Sequence, residues 1–99
     1  RMHLPVFLKE RLSTEPTPES GTLLRIAYHG ASASEPILSY LIKNYPITIN
    51  ILQGNIETIQ NQIAGIMIVE MKGNDQSIKA SCDFLIQNGL HIETLGYLR

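Results

Sequence analysis

Asn50 is the side chain best suited to recognition chemistry in this chain: an amide, donor and acceptor at once, set in the apolar stretch Ile47 to Ile59, ITINILQGNIETI. A polar amide in mid-strand suits contact with a small ligand. Its plainer use is a hydrogen bond to a neighbouring strand, and the residues alone favour that use. Cys82 falls in an apolar helical stripe without a histidine or acid to activate it, so it is expected to be a small buried hydrophobe. His3, His29 and His91 share no metal-ligand spacing, and no metal site is expected. Glu70 and Glu93 belong to separate strands, with nothing to unite them as an acid and base. Neither a Walker-type phosphate loop nor a dinucleotide fingerprint occurs, so this segment is not expected to bind or hydrolyse a nucleotide.

The elements that must position Asn50 belong to a single small domain. With 99 residues, 43% of them hydrophobic and 17% charged, the chain supports one core. Its formal net charge of -1 gives no basic footprint for nucleic acid or for an anionic membrane. One cysteine forms no internal disulfide. No apolar run approaches the ~20 residues that span a bilayer, so a soluble segment without direct membrane insertion is expected. Arg1-Met2 has the look of an excision scar, which suggests a piece of a longer chain.

Along the chain, residues 4–12, LPVFLKERL, suit a short docking turn or helix anchored by Val6, Phe7 and Leu8. Residues 13–21, STEPTPESG, favour an extended linker, so 1–21 is assigned as lead-in and 22–99 as the folded domain. A first strand is expected over 22–29. Ser34 then offers an N-cap, with Glu35 and Pro36 suited to the first turn of a helix carrying Ile37, Leu38, Leu41 and Tyr45. Pro46 ends that helix. In the second strand Ile47, Ile49 and Ile51 share one face and Thr48, Asn50 and Leu52 the other, with a bulge expected beyond Gly54 because Ile56 breaks the alternation. After a turn near Gln60 to Gln62, a third strand over 63–72 puts Gly65, Met67, Val69 and Met71 opposite Ile66, Ile68 and Glu70. Gly73-Asn74-Asp75 opens a second helix with the stripe Ile78, Cys82, Leu85, Ile86; Asn88-Gly89 stops it, and a fourth strand closes the chain.

The order βαββαβ predicts an α+β, ferredoxin-like fold: a four-stranded antiparallel sheet in the order 4-1-3-2 with both helices on one face. Asn50 then lies on an edge strand, whose unpaired backbone groups invite a second copy of the chain. The face away from the helices carries Leu23, Ala27, Leu52, Ile66 and Ile68 and is too apolar to be bare; a second subunit or a parent domain is expected to cover it.

Asn50-Ile51-Leu52 with Gly54, the run Gly65-Ile66-Met67-Ile68-Val69-Glu70 with Gly73, and the closing Glu93-Thr94-Leu95-Gly96-Tyr97 together resemble the NIL domain. That family is the C-terminal regulatory domain of the ATP-binding subunit of methionine ABC importers. The resemblance spans residues 4–98, including a lead-in at Pro5 to Leu12, and rests on the combination and order of the motifs. It implies a homodimer with the domain's second copy and an L-methionine site at or near that interface. High methionine at the inner face of the membrane would then shut down import. The ligand-contacting asparagine of the family matches Asn50; Ile51, Leu52, Gly65, Ile66 and Met67 complete the implied site. Implied partners are the parent ATPase domain, which alone would use ATP, and the membrane permease; no cofactor is implied for the domain itself. Edge-strand backbone and the Asn50 amide suit an amino acid's charged ends, and Leu52, Ile66 and Met67 its thioether tail, although Met67 serves equally as core filler.

Three other classes compete with that reading. A pure dimerisation module would use the same edge without a ligand. An RNA-binding domain of this topology would show outward aromatics where Arg25, Ala27, Ile66 and Ile68 stand. An enzyme would need a nucleophile or acid/base set that the chain lacks.

Overall fold

Eight elements follow one another in this computed structural model, which describes residues 3–30 and 36–99: α1 (Val6–Arg11), β1 (Leu12–Ser13), β2 (Gly21–His29), α2 (Ile37–Asn44), β3 (Thr48–Ile59), β4 (Gln62–Lys72), α3 (Asp75–Gln87) and β5 (His91–Leu98). The class is α+β. The sheet is antiparallel and five-stranded, in the order β1-β5-β2-β4-β3. Its four long strands take the order expected for them. The fifth strand and the third helix come from the lead-in, where the sequence suggested only a docking segment.

Local chemistry explains most boundaries. Helix α2 starts after Pro36; the N-cap expected at Ser34 and the first-turn Glu35 lie outside the described residues. The β3–β4 turn is Gln60–Asn61 with both φ positive, at 52° and 66°, the geometry of a two-residue turn that matches strand twist. The Asn74 side chain caps α3 by accepting from the Ser77 N–H at 2.8 Å. At the far end Gly89 takes φ 85°. Its N–H reaches the Ile86 carbonyl at 3.0 Å and that of Leu90 the Leu85 carbonyl at 3.1 Å, the paired closure that an αL glycine permits.

Two cores lie on opposite faces of the sheet. On one, Leu24 and Ile26 of β2 and Val69 and Met71 of β4 pack with Leu41 of α2 and Leu85 of α3. Met71 is therefore core filler. Ile86, placed in the α3 stripe from sequence, is 56% exposed; Ser77 and Ser81 are buried instead, the Ser81 hydroxyl donating to the Ser77 carbonyl at 2.8 Å. Residues 77, 81 and 85 hold the buried face at i, i+4, i+8, and 86 is one position of about 100° beyond it.

The second core holds Leu8 of α1, Leu23 of β2, Ile68 of β4 and Leu98 of β5, with Leu4, Leu12, Leu52 and Leu95 packed around it. A good part of the apolar far face is thus covered by the chain's own lead-in. Leu8 alone is the anchor: it is fully buried, whereas Val6 and Phe7 are 69% and 59% exposed. Burying such a leucine is worth about 1.5–3 kcal/mol, enough to hold a one-and-a-half-turn helix that would not form alone.

The bulge of β3 also differs from the sequence reading. The register steps from Ile51↔Val69 to Gln53↔Ile68, leaving Leu52 as the extra residue, not a position beyond Gly54. Gly54 takes no left-handed φ, so its conformational freedom is not what makes the bulge. The extra residue puts both Leu52 and Gln53 towards the second core, and it returns Ile56 to the side of Met67 and Gly65.

Candidate functional site

The β3–β4 hairpin carries all six residues of the implied site, and β3 is the sheet's edge. Half of the β3 backbone groups therefore face away from the ladder. The pleat divides the six residues. Ile51, Gly65 and Met67 look towards the face of α2 and α3; Asn50, Leu52 and Ile66 look towards the face of α1. Within one chain the two sets do not meet.

Each set borders its own depression. On the α1 face, Thr48, Ile49, Asn50, Glu70 and Lys72 line a hollow of about 190 Å³. Asn50 is exposed, stands opposite Glu70 across the ladder, and has no side-chain hydrogen bond to another described residue. On the other face, Tyr28, Ile51, Gly54, Asn55, Ile56 and Met67 line an open hollow of about 430 Å³, within the ordinary range for small-ligand pockets. Tyr28 and Ile56 are not among the residues of the implied site. The Tyr28 ring lies directly over Gly65: a Cβ there would stand 2.5 Å from Cζ of the ring. Only the register Tyr28↔Gly65 reveals that contact, and register is not written in either strand alone.

The remaining polar groups fall into place around this hairpin. Gln53 Oε1 and the Nε of Arg25 are buried without a hydrogen-bond partner, and both belong to the transverse row Gln53, Ile68, Arg25, Glu93. Arg25 directs its Nη1 to Glu93 instead, so Glu93 is an ion-pair partner and stands apart from Glu70. His29 and His91, distant in sequence, bring their rings to a stacked 6.1 Å. Among the described residues no group of three or more potential metal ligands assembles. The half-buried Cys82 thiol is pushed up by burial and further by the Asp83 carboxylate, which disfavours a reactive thiolate. Cys82, Thr22, Thr94 and Tyr97 border a roomier cleft of about 760 Å³ between residues 16–20 and the start of α3. None of the six residues of the implied site lines this cleft.

Sequence and fold comparisons agree on the class. The family model described as the NIL domain matches residues 22–94, and the chain belongs to that family. Over 95 residues it is 37% identical to a protein of Burkholderia ambifaria named methionine import ATP-binding protein MetN 1, covering 96% of this chain and 28% of that one. The protein named methionine import ATP-binding protein MetN in Rhodospirillum rubrum is 33% identical, covering 96% of this chain and 27% of its own. The crystal structure titled as the C-terminal domain of an ABC transporter ATP-binding protein from Enterococcus faecalis superimposes with a TM-score of 0.68 at 29% identity, over 77% of this chain and 84% of that one. The chain thus spans little more than a quarter of the length of these curated relatives. No described helix is long and apolar enough to cross a membrane.

Proposed function

We propose that this NIL domain is the regulatory end of an importer's ATP-binding subunit, that it binds L-methionine at the β3 edge, and that binding restrains methionine uptake. The observation that carries the reading is the Asn50 amide: exposed, unpartnered among the described residues and flanked by free edge backbone, in a chain whose relatives are named for methionine import. Donors and acceptors on that edge suit the charged ends of an amino acid, and the leucine and isoleucine beside them suit its tail. On this reading the four long strands with α2 and α3 form a ferredoxin-like unit, to which the lead-in adds α1 and β1.

The division of Ile51, Gly65 and Met67 from Asn50, Leu52 and Ile66 gives dimerisation a role. A ligand held by Asn50 shares its face of the sheet with Leu52 and, further along the strand, Ile66 within the same chain, and a second copy docked on the β3 edge would bring the opposite set. The attached ATPase domain would alone use ATP, and permease subunits would hold the assembly at the inner face of the membrane.

Calorimetric titration of L-methionine into the domain, with L-leucine and D-methionine as comparators and sedimentation in parallel, tests the reading. Saturable binding selective for L-methionine is expected. Asn50→Ala should weaken it at least tenfold while leaving circular dichroism and oligomeric state unchanged, because an exposed amide without partners contributes nothing to the fold. A stable dimer silent to all three amino acids would favour a dimerisation module that uses the same exposed edge without a ligand.

A further inference from the structure

The bulge residue Leu52 connects the two ends of the sheet. Strand β3 is at one edge and β1 at the other, four inter-strand spacings of about 4.8 Å apart, so nothing bound at the β3 edge touches β1 directly. The second core bridges that distance. Leu52 enters it from β3, Ile68 and Leu23 form its floor, Leu98 its far side, and Leu8 of α1 closes it from above. Leu52 follows Asn50 by two positions on the same face, and it has no partner in the ladder, so packing against this cluster rather than strand pairing holds it in place.

Helix α1 is correspondingly easy to shift. It has six residues and no side-chain N-cap, and Leu8 is its one buried residue. Beyond it, two residue pairs join β1 to β5, and Arg11 and Arg99 clasp each other, the Arg11 Nε donating to the Arg99 carbonyl at 2.9 Å and the Arg99 N–H to the Arg11 carbonyl at 3.1 Å. A helix this short takes its stability from tertiary contacts.

We infer that Leu52 is a positioning residue that links occupancy of the β3 edge to the docking of α1, so that the lead-in is the output of the sensor. This rests on the ligand reading above for its input, but the link itself exists without ligand. A ligand beside Asn50 that moves Leu52 tightens or loosens the cluster in which Leu8 sits, and α1 responds because no other buried side chain holds it. The signal therefore leaves along the packed face of the sheet, and the bent and turned segment over residues 14–20 is not needed to carry it.

Hydrogen exchange on the full chain tests this in two arms. Without ligand, Leu52→Ala is expected to speed exchange of the amides of residues 8–13 about fivefold or more, the lower end of ordinary site-to-site coupling, and to leave α3 amides unchanged. Ile59→Ala, which removes an exposed side chain from the same strand and lines neither hollow, is the control and should match wild type. Leu52→Val should move the same amides in the same direction by less, which covers the case that the alanine variant is poorly folded. Unchanged exchange over residues 8–13 in both Leu52 variants overturns the inference. In the second arm, L-methionine at a concentration shown by titration to saturate each variant should alter exchange of residues 8–13 in wild type and not in Leu52→Ala, so that the difference reports coupling and not lost binding. Binding without that response also overturns it. Absence of methionine binding in wild type strikes the sensor reading alone, and the ligand-free arm then decides the link.

Discussion

A glycine and a thiol show how single residues on the α2–α3 face are held. Adding a methyl at Gly65 would drive Cβ to within 2.5 Å of Tyr28 Cζ and 2.6 Å of its hydroxyl oxygen. The obstruction is the far end of a side chain, so the ring can swing at a cost, and overpacking of this kind costs about 1–3 kcal/mol. Gly65→Ala should lower the urea midpoint accordingly, and Tyr28→Ala combined with it should recover most of the loss relative to Tyr28→Ala alone. Additive losses in that cycle would show that the ring and the glycine are independent. Cys82 gives the pH dependence. Burial raises its thiol in the folded chain, so the folded state keeps its proton to higher pH than the unfolded one. Its contribution to stability is complete below the ordinary thiol value and is lost as pH rises through the raised folded value. From about pH 8.5, the ordinary thiol value, upward, wild type should therefore lose stability faster than Cys82→Ala, and a parallel pair of curves would refute the buried-thiol account. The residue types at these positions were plain in the sequence; their partners were not, because Tyr28 and Gly65 meet through strand register.

At the level of elements, periodicity revealed much and pairing little. The alternation of β4 and the Asn88-Gly89 stop of α3 were both legible, since each depends on local geometry that a few residues settle. The bulge was expected too late because Ile56 showed that the alternation had slipped without showing where. Leu52 and not Gly54 is displaced, since the second core has a place for a leucine on the α1 face. Strand β1 was illegible for a related reason: two residues carry no pattern, and they are extended only because β5 accepts them. Gly96 makes that acceptance possible. With φ 150° and a would-be Cβ 2.7 Å from Leu12 Cδ1 and 2.9 Å from the Ser13 carbonyl, it leaves room for β1 to lie alongside. Gly96→Ala should cost about 1–3 kcal/mol through strain and displacement of β1. Amides of residues 11–13 should lose protection while those of α2 keep theirs, and uniform loss across the domain would mean that the glycine serves β5 itself rather than its edge.

For the whole molecule, the sequence placed two layers where the structure has three. The apolar residues Leu23 and Ile68 signalled a covered face, and an outside partner was the natural expectation because residues 4–12 look too short to be a layer. Helix α1 suffices because the face is narrow: Leu8 over Leu23, Ile68 and Leu98 closes it, with Leu4 and Leu12 at the rim. Removing residues 1–13 is therefore expected to do more than trim a tail. It uncovers Leu23, Ile68 and Leu98, each now 0–1% exposed, and withdraws the burial of Leu8. The first core, built from α2, α3 and the other sheet face, contains none of these four side chains and should persist. The truncated chain should thus keep its helical circular dichroism, bind a hydrophobic dye that wild type does not, and self-associate through the opened face in sedimentation. Loss of all secondary structure would instead make the second core a condition of folding. An unaltered monomer without dye binding would mean that Leu52 and Leu95 collapse over the gap and that the lead-in is dispensable to the fold.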